Sequence, residues 1–375
     1  MKVKIEKSEL QALLAKTQNI VEKRNTMPVL VNVLLEAKNN RLKVYATDLE
    51  ISLTDDVAAE VVEPGQSVVE AKRLFQIVKE LQDGMVSLTK KQNNWLELKQ
   101  EKTKVNIVGA GVEEYPIFPT NYSHNFVKFN AQVMRDMIEK TIYSVSNDET
   151  RYHLNGVYFE QQKSGSDLRY RMVATDGHRL SLIDRIAEGK ELNLPSQTSG
   201  VIIPRKGINE IRKLIEMNPD SPIEMSIEGA QLVVKQASTV LFVRLIEGKY
   251  PNYQQLIPAA LKRKIRAPKS KLVSSLKVAA LLANEKSRGV TLSVDSGVLE
   301  ISSNNPELGD AKEEVPVDYS GENLKIGFNA RYLLDVLNTI DEEEVDIELN
   351  DQLSPGLIRP QGDQNYTCII MPMRI

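Results

Sequence analysis

Ala174-Thr175-Asp176-Gly177-His178-Arg179-Leu180-Ser181 has a shadow earlier in the chain, Ala46-Thr47-Asp48-Leu49-Glu50-Ile51-Ser52. Both follow the same lead-in: a helical pattern, a short polar gap, a hydrophobic strand (31–35; 156–159), a turn, and a second strand ending in Ala-Thr-Asp. A third copy is worn. After the helical run 272–284 come strands at 290–294 and 298–302 around a turn at 295–297, then Ser303-Asn304-Asn305 in place of Ala-Thr-Asp. The spacing is about 128 residues, and a repeat of that kind sets the fold before any motif is weighed.

At 375 residues the chain exceeds one hydrophobic core. The repeat divides it into three domains, 1–125, 126–254 and 255–375. A composition of 41% hydrophobic and 26% charged residues is that of a soluble globular protein. No window reaches the roughly 18 apolar residues of a membrane helix. Met1-Lys2-Val3-Lys4-Ile5-Glu6-Lys7 alternates like a strand and lacks the apolar block of a signal peptide, which points to the cytoplasm. The single cysteine, Cys368, cannot form an internal disulfide and sits in an apolar run, so an inert core thiol is expected.

Within the first domain, strand 2–5 leads to Ser8-Glu9-Leu10-Gln11, which has the form of a capping box. The following helix places Leu10, Leu13, Leu14, Thr17, Ile20 and Val21 on one face. Strands at 31–37, 41–47 and 50–58 complete the first half. The second half repeats the plan with strand 67–70, helix 71–82 and strands near 85–89, 95–99 and 103–108. Each domain is therefore two strand-helix-strands units, an α+β fold. Phe129-Asn130-Ala131 and Phe328-Asn329-Ala330 open matching helices, each capped by its Asn. Pro204 and Pro268 are expected as first helical residues.

Six helices backed by sheets follow from this pattern, and their charge differs from that of the rest. Windows 8–24, 71–82, 130–146, 204–217, 268–286 and 329–340 hold 17 Lys and Arg against 9 Asp and Glu, whereas the whole chain is −3. Such an excess suits a polyanion met on the helical side. Solvated helices with ordinary Lys and Arg propensity explain it equally well.

Seven segments in order resemble the bacterial β sliding clamp family, the processivity subunits of replicative DNA polymerase: Arg151-Tyr-His-Leu-Asn-Gly156, Ala174-Thr-Asp-Gly-His-Arg-Leu180, Pro204-Arg-Lys-Gly207, Tyr250-Pro-Asn-Tyr253, Asn284-Glu-Lys286, Asn304-Asn-Pro306 and Met371-Pro-Met-Arg374. The resemblance covers the whole chain. It implies three domains of the DNA-clamp type, a head-to-tail homodimer closing a six-domain ring, helices inside and sheets outside. It also implies double-stranded DNA, the polymerase catalytic subunit, a clamp loader complex, and other repair and replication proteins carrying clamp-binding motifs as partners. No cofactor is implied.

The family pattern carries three residue sets onto this sequence. DNA contacts fall on Arg24, Lys72, Arg73, Tyr152, Arg205 and Lys206; Asp148 and His153 depart from the pattern beside them. A peptide pocket falls on Leu154, Thr175, Gly177, His178, Arg179, Leu180, Pro251, Gln255, Leu256, Ile369, Met371, Pro372, Met373 and Arg374, with Gln255 standing where relatives carry a cation. Met re-packs around different ligands, and a small apolar cleft accepts Leu or Phe anchors. The dimer interface falls on Val105 and Ile107 of an edge strand and on Leu281 and Leu282 at a helix end.

Asp176, His178 and Ser181 invite a hydrolase reading, but triad members converge from separate elements and these crowd one strand end. The histidines 124, 153 and 178 show no metal-ligand spacing with Cys368. Gly109-Ala110-Gly111 lacks a third fingerprint glycine, and no phosphate-binding loop of the Gly-x-x-x-x-Gly-Lys form occurs, so ring opening falls to an external loader. The acidic run 341–344 reads as a solvated turn. A non-enzymatic clamp is the expectation; a DNA-processing hydrolase and a plain peptide-binding scaffold are the rivals.

Overall fold

A computed structural model describes residues 1–21, 27–118, 122, 125–164, 167–187, 191–194, 200–258 and 261–374. All six expected helices are present: α1 (Lys7–Thr17), α2 (Ala71–Glu80), α3 (Ala131–Glu139), α4 (Arg205–Met217), α5 (Lys269–Leu281) and α6 (Ala330–Leu337). Their apolar spacing buries one stripe each, as with Ala71, Leu74 and Val78 on α2 or Ala330, Leu333 and Leu337 on α6.

The helix ends differ from the sequence reading. The capping box at Ser8 is not made: α1 begins at Lys7 behind Glu6, which makes no side-chain cap, and the Lys7 amide donates to the Gly84 carbonyl at 2.9 Å. Asn130 and Asn329 do accept from the amides of Gln132 and Arg331, at 2.9 and 3.0 Å. Pro204 ends a strand and Pro268 is an N-cap, so both helices start one residue later than expected. Two helices stop earlier than expected, each beside a threonine that bonds back to the last turn. The Thr17 hydroxyl donates to the Leu14 carbonyl and the Thr141 hydroxyl to the Met137 carbonyl, each at 2.7 Å, occupying acceptors at the helix end.

The chain packs as two compact units, the described parts of 1–132 with 191–194 and 209–245, and of 133–187 with 200–208 and 246–374. The first holds a five-stranded sheet (Glu60–Glu63, Lys2–Glu6, Met85–Lys90, Leu96–Gln100, Thr103–Ile107) and a nine-stranded sheet. The second holds an eight-stranded sheet and a four-stranded one (Gly309–Pro316, Val298–Asn305, Gly289–Asp295, Leu324–Asn329). All pairings are antiparallel.

These units cut across the sequence repeat because the large sheets run from one repeat into the next. In the nine-stranded sheet Ile51–Ala58 pairs with Thr239–Arg244, setting Leu53 opposite Leu241 and Ser52 opposite Phe242. In the eight-stranded sheet Arg179–Ile186 pairs with Tyr366–Ile370 in the same way, setting Leu180 opposite Ile369. Each pairing satisfies backbone groups that an open edge would expose. We call these the first and second sheet junctions.

Candidate functional site

The repeated Ala-Thr-Asp stretches fold into the same turn at both junctions. The Thr175 hydroxyl donates to the Arg179 carbonyl at 2.6 Å and accepts from the Gly177 amide at 3.1 Å; Thr47 does likewise with Ile51 and Leu49, at 3.1 and 3.0 Å. Asp176 accepts from the amides of His178 and Arg179, and Asp48 from those of Glu50 and Ile51. The turn requires a left-handed residue, with φ of 88° at Gly177 and 78° at Leu49. Glycine adopts this without steric cost, whereas Leu49 carries the strain that a Cβ brings there. In the third copy Asn305 replaces the aspartate and accepts from the Glu307 amide at 3.0 Å.

From this turn the strand Arg179–Ile186 sends alternate side chains to opposite faces. On one face Leu180 and Leu182 join Leu154, Val173, Ile202, Tyr250, Tyr253 and Ile369 in a buried apolar cluster. Exposed side chains flank that floor. Leu256 is 41% exposed on the short 3-10 turn Tyr253–Leu256, with Gln255 and Pro251 exposed beside it, and Met371 is 38% exposed where the last strand ends. The terminal segment is fastened at two points: the Met371 amide donates to the His178 carbonyl and the Met373 amide to the Gly327 carbonyl, each at 2.8 Å. Pro372 and Met373 are half-buried, while Gly177, His178 and Arg374 are exposed.

Of the pocket residues expected from the sequence, Leu154, Leu180 and Ile369 lie in the floor, and Thr175 is buried inside the turn. Arg179 differs. Its guanidinium pairs with Asp176 at 3.1 Å and Asp335 at 2.6 Å, donates to the Tyr143 carbonyl at 2.5 Å, and lies over the ring of Tyr332. It therefore acts as a strut to α6 rather than as part of the apolar floor. Sequence reasoning missed Val173, Leu182, Ile202, Tyr250 and Tyr253. The tyrosines were in view as the motif 250–253, but their inward direction follows only from the sheet.

The first junction has an equivalent floor that its own linker fills. Tyr115-Pro116-Ile117-Phe118 matches Tyr250-Pro251-Asn252-Tyr253. Tyr115 and Phe118 pack with Val68, Val233, Val240 and Phe242, and Tyr45, Tyr122 and Phe126 close over them. Edge-on ring pairs run through this group, Tyr45 to Phe118 at 5.1 Å and Tyr122 to Phe242 at 5.5 Å. Phe242 occupies the place of Ile369, so an aromatic ring stands where the second junction has an aliphatic side chain.

The opposite face of the second junction is polar but closed. Ser181 bonds to Ser144 at 2.7 Å and to the Tyr143 hydroxyl at 2.5 Å, and Tyr143 also meets Tyr366 at 3.0 Å and Cys368 Sγ at 3.2 Å. Asp176 is committed to the turn and to Arg179, and His178 is exposed, so the three residues form no relay. Burial pushes the Cys368 thiol up, which suppresses its thiolate. Cys368 is expected to resist a maleimide reagent in the native protein and to react fully in denaturant; native labelling within minutes, read by mass spectrometry, would contradict this.

The candidate DNA residues are unequal. Arg24 lies outside the described residues. Tyr152 is 57% exposed and meets His153 edge-on at 5.7 Å. Arg73 is exposed but paired with Glu70 at 3.1 Å, while Lys72 and Lys206 are half-buried. Arg205 donates to the Val145 carbonyl, and burial together with nearby Arg179 lowers its pKa from the usual guanidinium value, so a locking role is clearer than a phosphate contact. Asp148 caps the following 3-10 turn, accepting from the Thr150 amide at 3.0 Å and Arg151 at 2.9 Å; the Thr150 bonds, then Arg151, hold its pKa down.

Thr103–Ile107 is an edge strand of the five-stranded sheet. Ile107 points into its own core at 3% exposure, contrary to an interface role for its side chain, whereas Val105 is half-buried and Val108 is 65% exposed. Ile77, Leu81 and Val105 line a groove between α2 and this strand. Leu281, at the end of α5, is 76% exposed, and Leu282 is half-buried. Among the described residues no three His, Cys, Asp or Glu side chains group as a metal site needs, and no helix is long and apolar enough to cross a membrane.

Comparison with known proteins finds three consecutive matches to the DNA polymerase III beta subunit: its N-terminal domain over 1–119, central domain over 128–252 and C-terminal domain over 254–374. The chain is 33% identical over 377 residues to the beta sliding clamp of Caulobacter vibrioides and 34% identical over 377 residues to that of Haemophilus influenzae, covering 100% of each chain in both cases. Among solved structures it resembles the DNA polymerase sliding clamp of Caulobacter crescentus, with 33% identity and a TM-score of 0.93. It also resembles a sliding clamp from Bartonella birtlesii bound to griselimycin, with 30% identity and a TM-score of 0.95. Both likenesses cover 100% of each chain.

Proposed function

The chain belongs to the DNA polymerase III beta subunit family, the β sliding clamps, and from that premise we propose that two copies close head to tail into a ring around duplex DNA. The family match along the whole chain carries this reading. Three clamp domains per chain, 1–125, 126–254 and 255–375, supply six to the ring, with helices lining the hole. The protein works in the cytoplasm, loaded by a separate clamp loader, and confers processivity without catalysing a reaction itself.

Topology, not affinity, retains such a ring. Each neutralised phosphate contributes a salt slope of about −0.9, so a few transient cation contacts allow sliding while salt screens them readily. Lys72, Arg73, Tyr152 and Lys206 are the proposed contacts, together with Arg24. The pairing of Arg73 and the locking of Arg205 keep the attraction weak, as sliding demands.

The floor at the second junction is the proposed peptide seat, supported by its apolar burial and the fastened terminal segment that carries Met371. Partner tails place Leu or Phe anchors there. Two anchors supply roughly 3–6 kcal/mol, partly offset by association entropy, which leaves single peptides at about micromolar strength. The griselimycin complex of the Bartonella relative supports a ligand-binding surface on this fold.

Retention on DNA tests the function. With a bacterial clamp loader and ATP, the protein should stay on closed circular DNA through gel filtration at high salt and leave when the circle is cut. Equal retention on linear DNA, or none on circles, would replace the ring with a scaffold; Mg²⁺-dependent cleavage of labelled DNA would favour the hydrolase.

A further inference from the structure

The floor of the second junction ends in a row of charges that the peptide reading leaves unexplained. Glu160, Arg171 and Asp184 stand directly opposite one another on three adjacent strands. They share a sheet face with Val173, Leu180 and Leu182, since each is an even number of residues away along its strand or opposite such a residue. Arg171 forks onto Asp184 at 2.5 and 2.6 Å and sends its remaining nitrogen to the Tyr253 hydroxyl at 3.0 Å. Tyr253 in turn donates to Glu160, which is only 4% exposed. A hydroxyl is thus clasped between a buried carboxylate and a guanidinium whose orientation a second carboxylate fixes.

The first junction serves as an internal control. It has the same row in the same register, Glu36, Lys43 and Asp56. The leading tyrosines are anchored alike, Tyr115 to the Tyr45 carbonyl at 3.1 Å and Tyr250 to the Val173 carbonyl at 3.5 Å. The second aromatic is where they part. Phe118 has no hydroxyl to offer, Glu36 accepts instead from Tyr45 at 2.8 Å, and Lys43 lies over the Tyr45 ring. A hydroxyl clasp exists at the second junction, and aromatic packing of Phe118 with Tyr45 takes its place at the first.

We propose that Tyr253, through its hydroxyl clasp with Glu160 and Arg171, is a positioning residue that holds the turn bearing Pro251, Gln255 and Leu256 in the place where it can receive a peptide. The proposal rests on the peptide-seat reading. The turn 250–256 is held by this clasp, by the Tyr250 anchor and by the packing of Tyr250 and Tyr253 against the Tyr158 ring, and of these only the clasp depends on the Tyr253 hydroxyl. Tyr253 touches the apolar floor with its ring, so its hydroxyl can be removed while the packing stays.

The test uses the full-length dimer, a pentapeptide ending in leucine and phenylalanine, isothermal calorimetry, and amide hydrogen exchange without peptide. Tyr253→Phe is expected to weaken the peptide about tenfold and to speed exchange across 250–257, leaving strands Asp167–Thr175 and Arg179–Ile186 unchanged. Glu160→Gln keeps a carbonyl acceptor for the hydroxyl and should lose only about twofold to threefold. Affinity of Tyr253→Phe within twofold of wild type, or faster exchange over the whole sheet at once, would overturn the proposal. Should Tyr253→Phe not fold, a tenfold or greater loss in Glu160→Gln without a local exchange change would also overturn it. A wild-type chain that binds no peptide would sink the peptide-seat reading instead, and the exchange comparison still decides whether the clasp holds the turn.

Discussion

Met371→Asp is expected to abolish peptide binding while leaving the fold as it is. Met371 is 38% exposed, and its backbone bond to His178 does not involve the side chain, so the substitution falls in the class that shifts stability by about 0.5 kcal/mol or less. The bound state is another matter. A leucine or phenylalanine anchor seated beside residue 371 would strip water from the new carboxylate. An incompletely paired buried charge costs about 3 kcal/mol or more, equivalent to at least about a hundredfold in affinity. Calorimetric titration with a pentapeptide checks it, with the circular dichroism spectrum and melting temperature as controls. Binding within tenfold of wild type would remove Met371 from the seat.

That seat was legible in the sequence only where residues lie close along the chain. The repeated Ala-Thr-Asp turn, the motif 250–253 and the terminal 371–374 were visible as strings, and they supply the rim. The floor was less visible, because Val173 and Leu182 become neighbours of Ile369 only through the pairing of Arg179–Ile186 with Tyr366–Ile370. A two-residue period says that a strand has two faces but not which one meets the helices. The same limit hid the charged row. Glu160, Arg171 and Asp184 sit on three separate strands, and a shift of one residue in either register would scatter them.

The helices were legible for the opposite reason. An i, i+3, i+4 stripe, an Asn cap and a Pro at a helix start are all local signals, so the six helices could be placed from the sequence. Their charge was less informative than it looked. Lys16 is spent on the buried Asp55 at 2.5 Å, Lys140 on Asp136 at 2.7 Å, and Lys213 on Glu210 at 2.7 Å. Lys79, Lys271 and Lys277 remain exposed. The net positive charge therefore overstates the cations that a phosphate backbone would meet.

Replacing both Leu281 and Leu282 by alanine is expected to convert the dimer to monomer, and ring geometry makes the effect large. Leu281 is 76% exposed in the single chain and Val278, one turn earlier on α5, is 44% exposed, so apolar surface is grouped at this helix end. The proposed receiver is the partner's groove between α2 and the edge strand, lined by Ile77, Leu81 and Val105 in each copy. Burying a leucine contributes about 1.5–3 kcal/mol. Leu282 is already half-buried, so its share is smaller. A closed head-to-tail dimer has two such interfaces, and every substitution acts twice. The pair should then cost roughly 4–6 kcal/mol, raising the dissociation constant by about three to four decades. Alanine favours helix at least as well as leucine, so α5 itself should persist. Sedimentation velocity across a concentration series checks this together with helical content: the variant should run as a monomer where the wild type runs as a dimer. An unchanged dimer at nanomolar concentration would place the ring contact elsewhere and leave the exposed Leu281 unexplained.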